Sequence, residues 1–427
     1  MPSQVDPGAP GGDSTAPTVP LGPDFRRAQL AQFVSLLADH SLMWIVLWWL
    51  LVTRKNATAD ETVRLVAPSL LMPLLALPIA GTLADYWDRA RIVRWACLLR
   101  AACHVLVAGL LYTGTLTVDR GLVAVVLSGL AGAFFDASFT PMLPALVPAS
   151  QTERALDYSL ALPRAGYFIA SFILLLLLAL LGERIVSVLG VVFLLGAAVV
   201  VSGIRAPTCP QADPNEGARP GSAMGWVRAL VDGPIVLLRS PRLLFVTLLS
   251  MLANFVMAPR FWLGPASLAP GAHLPKTLPE NSEVVLVLGV VAGALATPPL
   301  CRRFPSEKVA AVSLLGLALG LVALGHLRGP DALYVTITLL GFALVQVTGL
   351  AGGTATLACP DAKRARIGAL VWVAFELGGE LGGHTLRPLI MQQGLPTVLG
   401  GLAALLVGIA LPWSVIPTTR LPAWLRL

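Results

Sequence analysis

Apolar stretches about as long as a bilayer-crossing helix recur along nearly the whole chain, and no other feature constrains the fold as strongly. A helix needs about 20 apolar residues to cross roughly 30 Å of hydrocarbon. Twelve such stretches are read at 30–52, 63–84, 92–112, 121–141, 156–181, 184–204, 243–263, 284–301, 308–326, 331–357, 366–391 and 395–416. Backbone groups in lipid must be satisfied within helices or a closed barrel. Runs such as Ile173 to Leu181 are continuously apolar and lack the alternation of barrel strands, so the expected class is an all-α polytopic membrane protein. Composition excludes the soluble alternative: 56% of the 427 residues are hydrophobic and 12% are charged, against about 25% charged in soluble domains.

The polar segments organise these spans. Residues 1–25, rich in Pro, Gly, Ser and Asp, have no periodicity and no signal-peptide pattern, and are expected to form a disordered tail. The longest polar break, 205–240, divides the chain into six-span halves at 26–204 and 241–417, leaving a short tail at 418–427. With both termini cytoplasmic, about 19 of the 30 Lys and Arg fall in cytoplasmic segments, about 7 outside and about 4 within spans (Arg100, Arg164, Arg260, Arg387). The net charge of +7 therefore reads as a topology signal, not as a nucleic-acid surface. Cys97, Cys103, Cys209, Cys301 and Cys359 form neither a CxxC pair nor a Cys/His cluster, so no metal, cofactor or disulfide framework is expected. The spacing His326 to Asp331 fits an acyltransferase HxxxxD pattern but has no accompanying motif, and no enzyme is expected.

Between the second and third spans the chain reads Gly81-Thr82-Leu83-Ala84-Asp85-Tyr86-Trp87-Asp88-Arg89-Ala90-Arg91. Gly81 permits close helix approach, Asp85 and Asp88 stand at a helix end, and Arg89 and Arg91 make a basic turn able to latch neighbouring helix ends. This resembles the GxLaDrxgrr signature of the major facilitator superfamily, and implies twelve helices in two six-helix halves that move a substrate by alternating access. A degenerate counterpart runs from Cys301 to Lys308 in the second half.

Ionisable groups inside spans cost at least about 2.5–3.5 kcal/mol at the bilayer centre, so each should be paired or face a polar space. Asp39 and His40 interrupt the first span, and Asn254 and Arg260 the seventh. The eleventh carries Glu376, Glu380, His384 and Arg387 on one helical face, interleaved with Gly378, Gly379, Gly382 and Gly383. These are the expected substrate and gating residues. Either they open on a cavity or the carboxylates are neutralised internally by His384 and Arg387. Arg164, opposite Glu376 in the repeat alignment, is expected to be a structural ion-pair partner.

The stretch Ala31 to Leu42 is similar to the AQFLSxxxDNAL pattern of the bacterial lysophospholipid transporters, as are Arg260-Phe261, Val290 to Ala294, Arg366 to Ala369 and Leu377 to Glu380. The resemblance implies a flippase that moves lysophospholipid from the outer to the inner leaflet of the cytoplasmic membrane, where an acyltransferase restores the second chain. It implies interdomain charge pairs among Asp39, Arg260 and Glu380. Trp44, Trp48, Phe255 and Trp262 would supply apolar walls. The chain departs from the pattern at His40 and at Asp136, where the family carries Asn and a nearby Lys. The region Asp136 to Pro148 also resembles exporters of drugs or siderophores, the alternative reading, with proton coupling available to either carboxylates or histidine.

Overall fold

The computed structural model describes residues 22–38, 41–54, 58–148, 152–205, 222–258, 278–327, 329–359, 361–416 and 422. Among them thirteen α-helices and no strand occur: α1 (Pro23–Leu36), α2 (Ser41–Trp48, continued by a π turn Trp49–Thr53), α3 (Ala59–Ala84), α4 (Arg89–Tyr112), α5 (Val118–Met142), α6 (Thr152–Ser202), α7 (Ala223–Arg239), α8 (Pro241–Met257), α9 (Leu278–Arg303), α10 (Ser306–His326), α11 (Pro330–Ala358), α12 (Arg364–Gln393) and α13 (Leu395–Val415).

Eight segments among the described residues are long and apolar enough to cross a membrane unaided. The first comprises α1, α2 and the π turn; the others are α3, α4, α5, α6 beyond Ile173, α10, α11 and α13. The twelve spans are completed by α6 before Gly182, by α8, by α9 and by α12. Two of these, α9 and α12, pack on the other half, where a polar residue need not meet lipid. Gly182 breaks α6 with φ +75°, in the left-handed region that glycine tolerates, between the spans read at 156–181 and 184–204.

Helix starts follow local chemistry. At α3 a capping box forms: the Glu61 N–H donates to Thr58 Oγ1 at 3.2 Å, and the Thr58 N–H donates to the Glu61 carboxylate at 3.0 Å. The helix therefore begins four residues before the apolar run does. Pro23 starts α1 seven residues ahead of the predicted span, and Phe25, Ala28 and Ala31 are buried there. The 205–240 segment is not purely a connecting loop, because α7 occupies nearly all of its second half.

Each half has its own core. In the second half one continuous aliphatic cluster runs from Leu243 and Val246 through Leu314, Leu317 and Leu340 to Leu406 and Trp413. In the first half two clusters form. One gathers Phe25, Val93, Phe135, Phe139 and Met142; the other gathers Leu42, Ile45, Leu50, Val107 and Leu178. Close contact between helices of the second half relies on glycine. A Cβ on Gly379 would lie 2.8 Å from Asn254 Nδ2, and one on Gly382 would lie 2.5 Å from the Phe255 carbonyl oxygen. This glycine face of α12 seats it on α8.

Candidate functional site

The contact between halves is organised at the end of the bundle where α3 stops and α12 starts. At Gly81 the two helices meet backbone to backbone: a Cβ there would lie 2.7 Å from the Ala365 carbonyl oxygen and 2.8 Å from Arg366 Cα. One turn later Asp85 ends α3, and its carboxylate caps the first turn of α12. Oδ1 accepts from the Ala365 N–H at 2.9 Å; Oδ2 accepts from the Arg366 N–H at 3.1 Å and from Arg366 Nε at 2.9 Å. Free N–H groups and the positive end of the peptide dipoles make a helix start a good seat for an anion.

Arg366, itself buried, is the hub of this latch. Its Nη1 donates to Asp232 of α7 at 3.2 Å, and its guanidinium lies 5.4 Å from the centre of the Tyr86 ring. Lys363 reaches the same Asp232 oxygen at 3.0 Å. Tyr86 in turn meets Trp226 of α7 edge to face at 5.5 Å. Burial pushes the Asp85 carboxyl up to about 6, against the opposing pull of Arg366, Arg89 and the Ala365 N–H.

Arg89 and Arg91 do not share one role. Arg89 is buried at the start of α4 and donates to the Ala84 carbonyl at 3.2 Å and to Pro141 at 2.8 Å, tying together the ends of α3, α4 and α5 within one half. Its Nη2 also approaches Asp85 at 3.5 Å. Arg91 has an exposed side chain and gives only its backbone N–H, to the Asp88 carboxylate at 2.8 Å, where Asp88 is the N-cap of α4. The cation that crosses to Asp85 from the other half is Arg366, to which the sequence reading assigned no role.

In the α12 stripe Glu380 and His384 stand apart from their ionisable neighbours. Glu380, His384 and Arg387 have exposed side chains and Glu376 is half-buried. Among the described residues Glu380 and His384 pair neither with each other nor with Arg387, so His384 and Arg387 do not neutralise Glu380. The stripe lies on the side of α12 away from the glycine face. Asn254 does not join it: its Nδ2 donates to the Phe375 carbonyl at 2.9 Å, a packing bond between α8 and α12. Trp44, Trp48 and Phe255 are partly buried against the cores of their own halves. Asp39, His40, Arg260 and Trp262 lie outside the described residues, as does the side chain of Arg164.

A second polar group, of which the sequence reading noted only Arg100 as a basic residue within a span, separates the two apolar clusters of the first half. Arg100 and His104, one turn apart on α4, are 3% and 0% exposed. Arg100 donates to the Ala38 carbonyl at 3.3 Å, Ser41 Oγ lies 3.1 Å from His104 Nε2, and Ser187 donates to the His104 carbonyl at 3.1 Å. Two ionisable residues four apart in an otherwise apolar span were the available signal. Gln346 on α11 is the comparable buried group of the second half, accepting from Ser313 at 2.5 Å.

Two helical halves, each with its own core and joined at one end by an ionic latch, have the architecture of a membrane transporter that rocks about a central space. The sequence matches the family model of the Major Facilitator Superfamily over residues 30–383, and the chain belongs to that family. No curated protein matches it. Solved structures of similar fold include the E. coli fucose:proton symporter FucP, with TM-score 0.69 and 15% identity, over 91% of this chain and 97% of that one. A bacterial homologue of the iron transporter ferroportin, in an outward-facing state, has TM-score 0.69 and 16% identity over 92% and 99%. The human organic anion transporter MFSD10 has TM-score 0.66 and 14% identity over 93% and 100%. The chain is a membrane transporter that works by alternating access, of a family whose members carry small molecules.

Proposed function

We propose that the chain carries a lysophospholipid from the outer to the inner leaflet of a bacterial cytoplasmic membrane. The observation that carries this reading is the exposed face of α12. Glu380 and His384 stand there beside the exposed side chains of Leu377 and Leu381. A carboxylate at this depth is too costly to face hydrocarbon, so the stripe borders water between the halves. Ionic and aliphatic groups side by side suit a ligand with a charged head and one acyl tail.

In this reading Asp39, Arg260 and Glu380 are gating charges from the two halves, with His40, Glu376, His384 and Arg387 lining the same space and Arg164 pairing structurally. Gly81 and Asp85, with Arg366 from the other half, close the cytoplasmic end, on the side where both termini lie, while Asp88, Arg89 and Arg91 order the α3–α4 turn that holds Asp85; the closed latch corresponds to a carrier open to the outside. The delivered lysolipid is then a substrate for a cytoplasmic acyltransferase.

The test is appearance of fluorescent lysophosphatidylethanolamine in the inner leaflet of proteoliposomes. Asp39→Asn and Glu380→Gln should each slow it at least tenfold, and equal rates for wild type and both variants would overturn the proposal. Asp136, exposed on α5 in place of the family's nearby Lys, favours the exporter alternative. That alternative predicts drug or siderophore sensitivity on deletion, without lysolipid accumulation.

A further inference from the structure

The helix between the halves, α7, has a face that no part of the described protein covers. Met224, Val227, Val231, Ile235 and Leu238 are 62%, 52%, 49%, 39% and 65% exposed. At 100° per residue their intervals of three and four place all five within about 80° of arc, a single apolar stripe. The opposite side holds Ala229, Gly233 and Leu237, which are buried. A Cβ on Gly233 would lie 3.3 Å from Leu370 and 3.4 Å from Arg366 Cγ, so this side rests directly on α12. Arg228 and Arg239 are exposed along one flank of the stripe, and Asp232 lies on the same flank.

Orientation identifies what covers the stripe. The axes of α7 and α8 meet at 92° across Ser240. Because α8 runs with the spanning helices, α7 lies in the membrane plane at the latch end. An apolar stripe there, edged on one flank by arginines, has the composition of a helix seated at the bilayer interface. Its charge complements anionic headgroups.

We infer that α7 is an interfacial helix that buries Met224, Val227, Val231, Ile235 and Leu238 in the leaflet at the latch end and binds anionic lipid through Arg228 and Arg239. Since Asp232 of the same helix holds Arg366 and Lys363, seating α7 on an anionic surface favours the closed latch. The inference does not depend on the transported substrate.

The test uses the full chain with its five cysteines replaced by alanine, reconstituted in phosphatidylethanolamine with or without phosphatidylglycerol. An environment-sensitive fluorophore is attached singly at 225, 227, 231, 235 and 238. Brominated lipid should quench the last four positions strongly and position 225 weakly. Equal quenching at all five, or none, would refute the seat, as would shielding of the stripe that needs a second protein. In the same vesicles, spin labels at 91 and 304 report latch closure. Phosphatidylglycerol should raise the closed-to-open ratio by about fivefold for each arginine engaged, and Arg228→Gln with Arg239→Gln should abolish that response. An unresponsive wild type, or a variant that responds equally, would overturn the coupling to the latch.

Discussion

Substituting alanine for Gly81 adds one methyl group at the point where α3 and α12 cross. Its Cβ would stand 2.7 Å from the Ala365 carbonyl oxygen and 2.8 Å from both Arg366 Cα and Ala369 Cβ. Ordinary contact distances are about 3.5–4.0 Å, and two of these three neighbours are backbone atoms that cannot rotate aside. The helices must therefore part by about 1 Å. Asp85 sits one turn further along α3, and its bonds to Ala365 and Arg366 of 2.9, 3.1 and 2.9 Å would stretch towards 4 Å, past the useful limit of about 3.2 Å. A hydrogen bond to a charged group contributes about 1.5–3 kcal/mol. Losing the equivalent of one or two amounts to roughly 3 kcal/mol, which is about a hundredfold shift from closed to open. The helix itself is not weakened, because alanine exceeds glycine in helix propensity by about 1 kcal/mol. The gate is thus perturbed without unfolding α3.

Spin labels on cysteines introduced at Arg91 and Phe304, both exposed at the latch end and in opposite halves, measure the outcome. Gly81→Ala should move the main distance population outward by several Å, with an unchanged melting temperature. A distribution identical to that of the parent would refute the claim that backbone contact at Gly81 is what permits closure.

The Asp85 carboxyl, pushed up to about 6 when buried, returns towards its ordinary 3.8 when the latch opens to water. Closure therefore takes up a proton between these values, so raising pH from 4 to 6 should favour opening, with little further change above pH 7; Asp85→Asn should abolish that dependence in the same distance measurement. In α6, a Cβ on Gly190 would collide with the His104 imidazole, so Gly190→Ala should cost about 1–3 kcal/mol by overpacking, read as a lower melting temperature in detergent. Because Glu380 and His384 are exposed and without partners among the described residues, Glu380→Gln and His384→Gln should leave the melting temperature within about 1 °C of wild type, consistent with surface changes within about 0.5 kcal/mol, while slowing transport. A fall in stability would instead make them structural.

Much of the fold was legible because lipid leaves so few solutions: span lengths located α3 through α6 and α9 through α13 to within a few residues, except where capping residues extended them. Gly81 and Asp85 were legible because their chemistry is local, a small residue and a helix-end carboxylate four apart. The role of Arg366 was not, since the stretch Arg366 to Ala369 carries a resemblance but no sign of a partner, and only the crossing of α3 over α12 brings it within 2.9 Å of Asp85. Asp232 was hidden for the same reason, inside a segment whose prolines and charges suggested only a linker. Arg100 and His104 could have been found from their spacing. Arg91 was misread because a basic motif does not reveal which arginine turns inward.

The cores and the interface differ in a way that bears on motion. Within the second half, aliphatic side chains interlock across α8, α10, α11 and α13, and separating them would expose large areas of apolar surface. Between the halves, near the latch, most of the fully buried contacts are alanines, Ala76, Ala80, Ala133 and Ala137 with Ala369, and Ala84 with Ala365, joined by Leu77 and Ile92 and flanked by the partly buried Phe134 and Val373. Each alanine buries little area, and at roughly 25 cal/mol per Å² the apolar contribution to closure is small beside that of either core. What holds this end shut is then the Asp85, Arg366 and Asp232 network. That network is confined to one turn of α3 and α12 and one residue of α7, and its charged groups are rehydrated when it opens, so an interface of small apolar contacts and one such network can separate while each half stays intact. That division of labour, large cores for rigidity and a poor interface for release, is what rocking two halves about a central space requires.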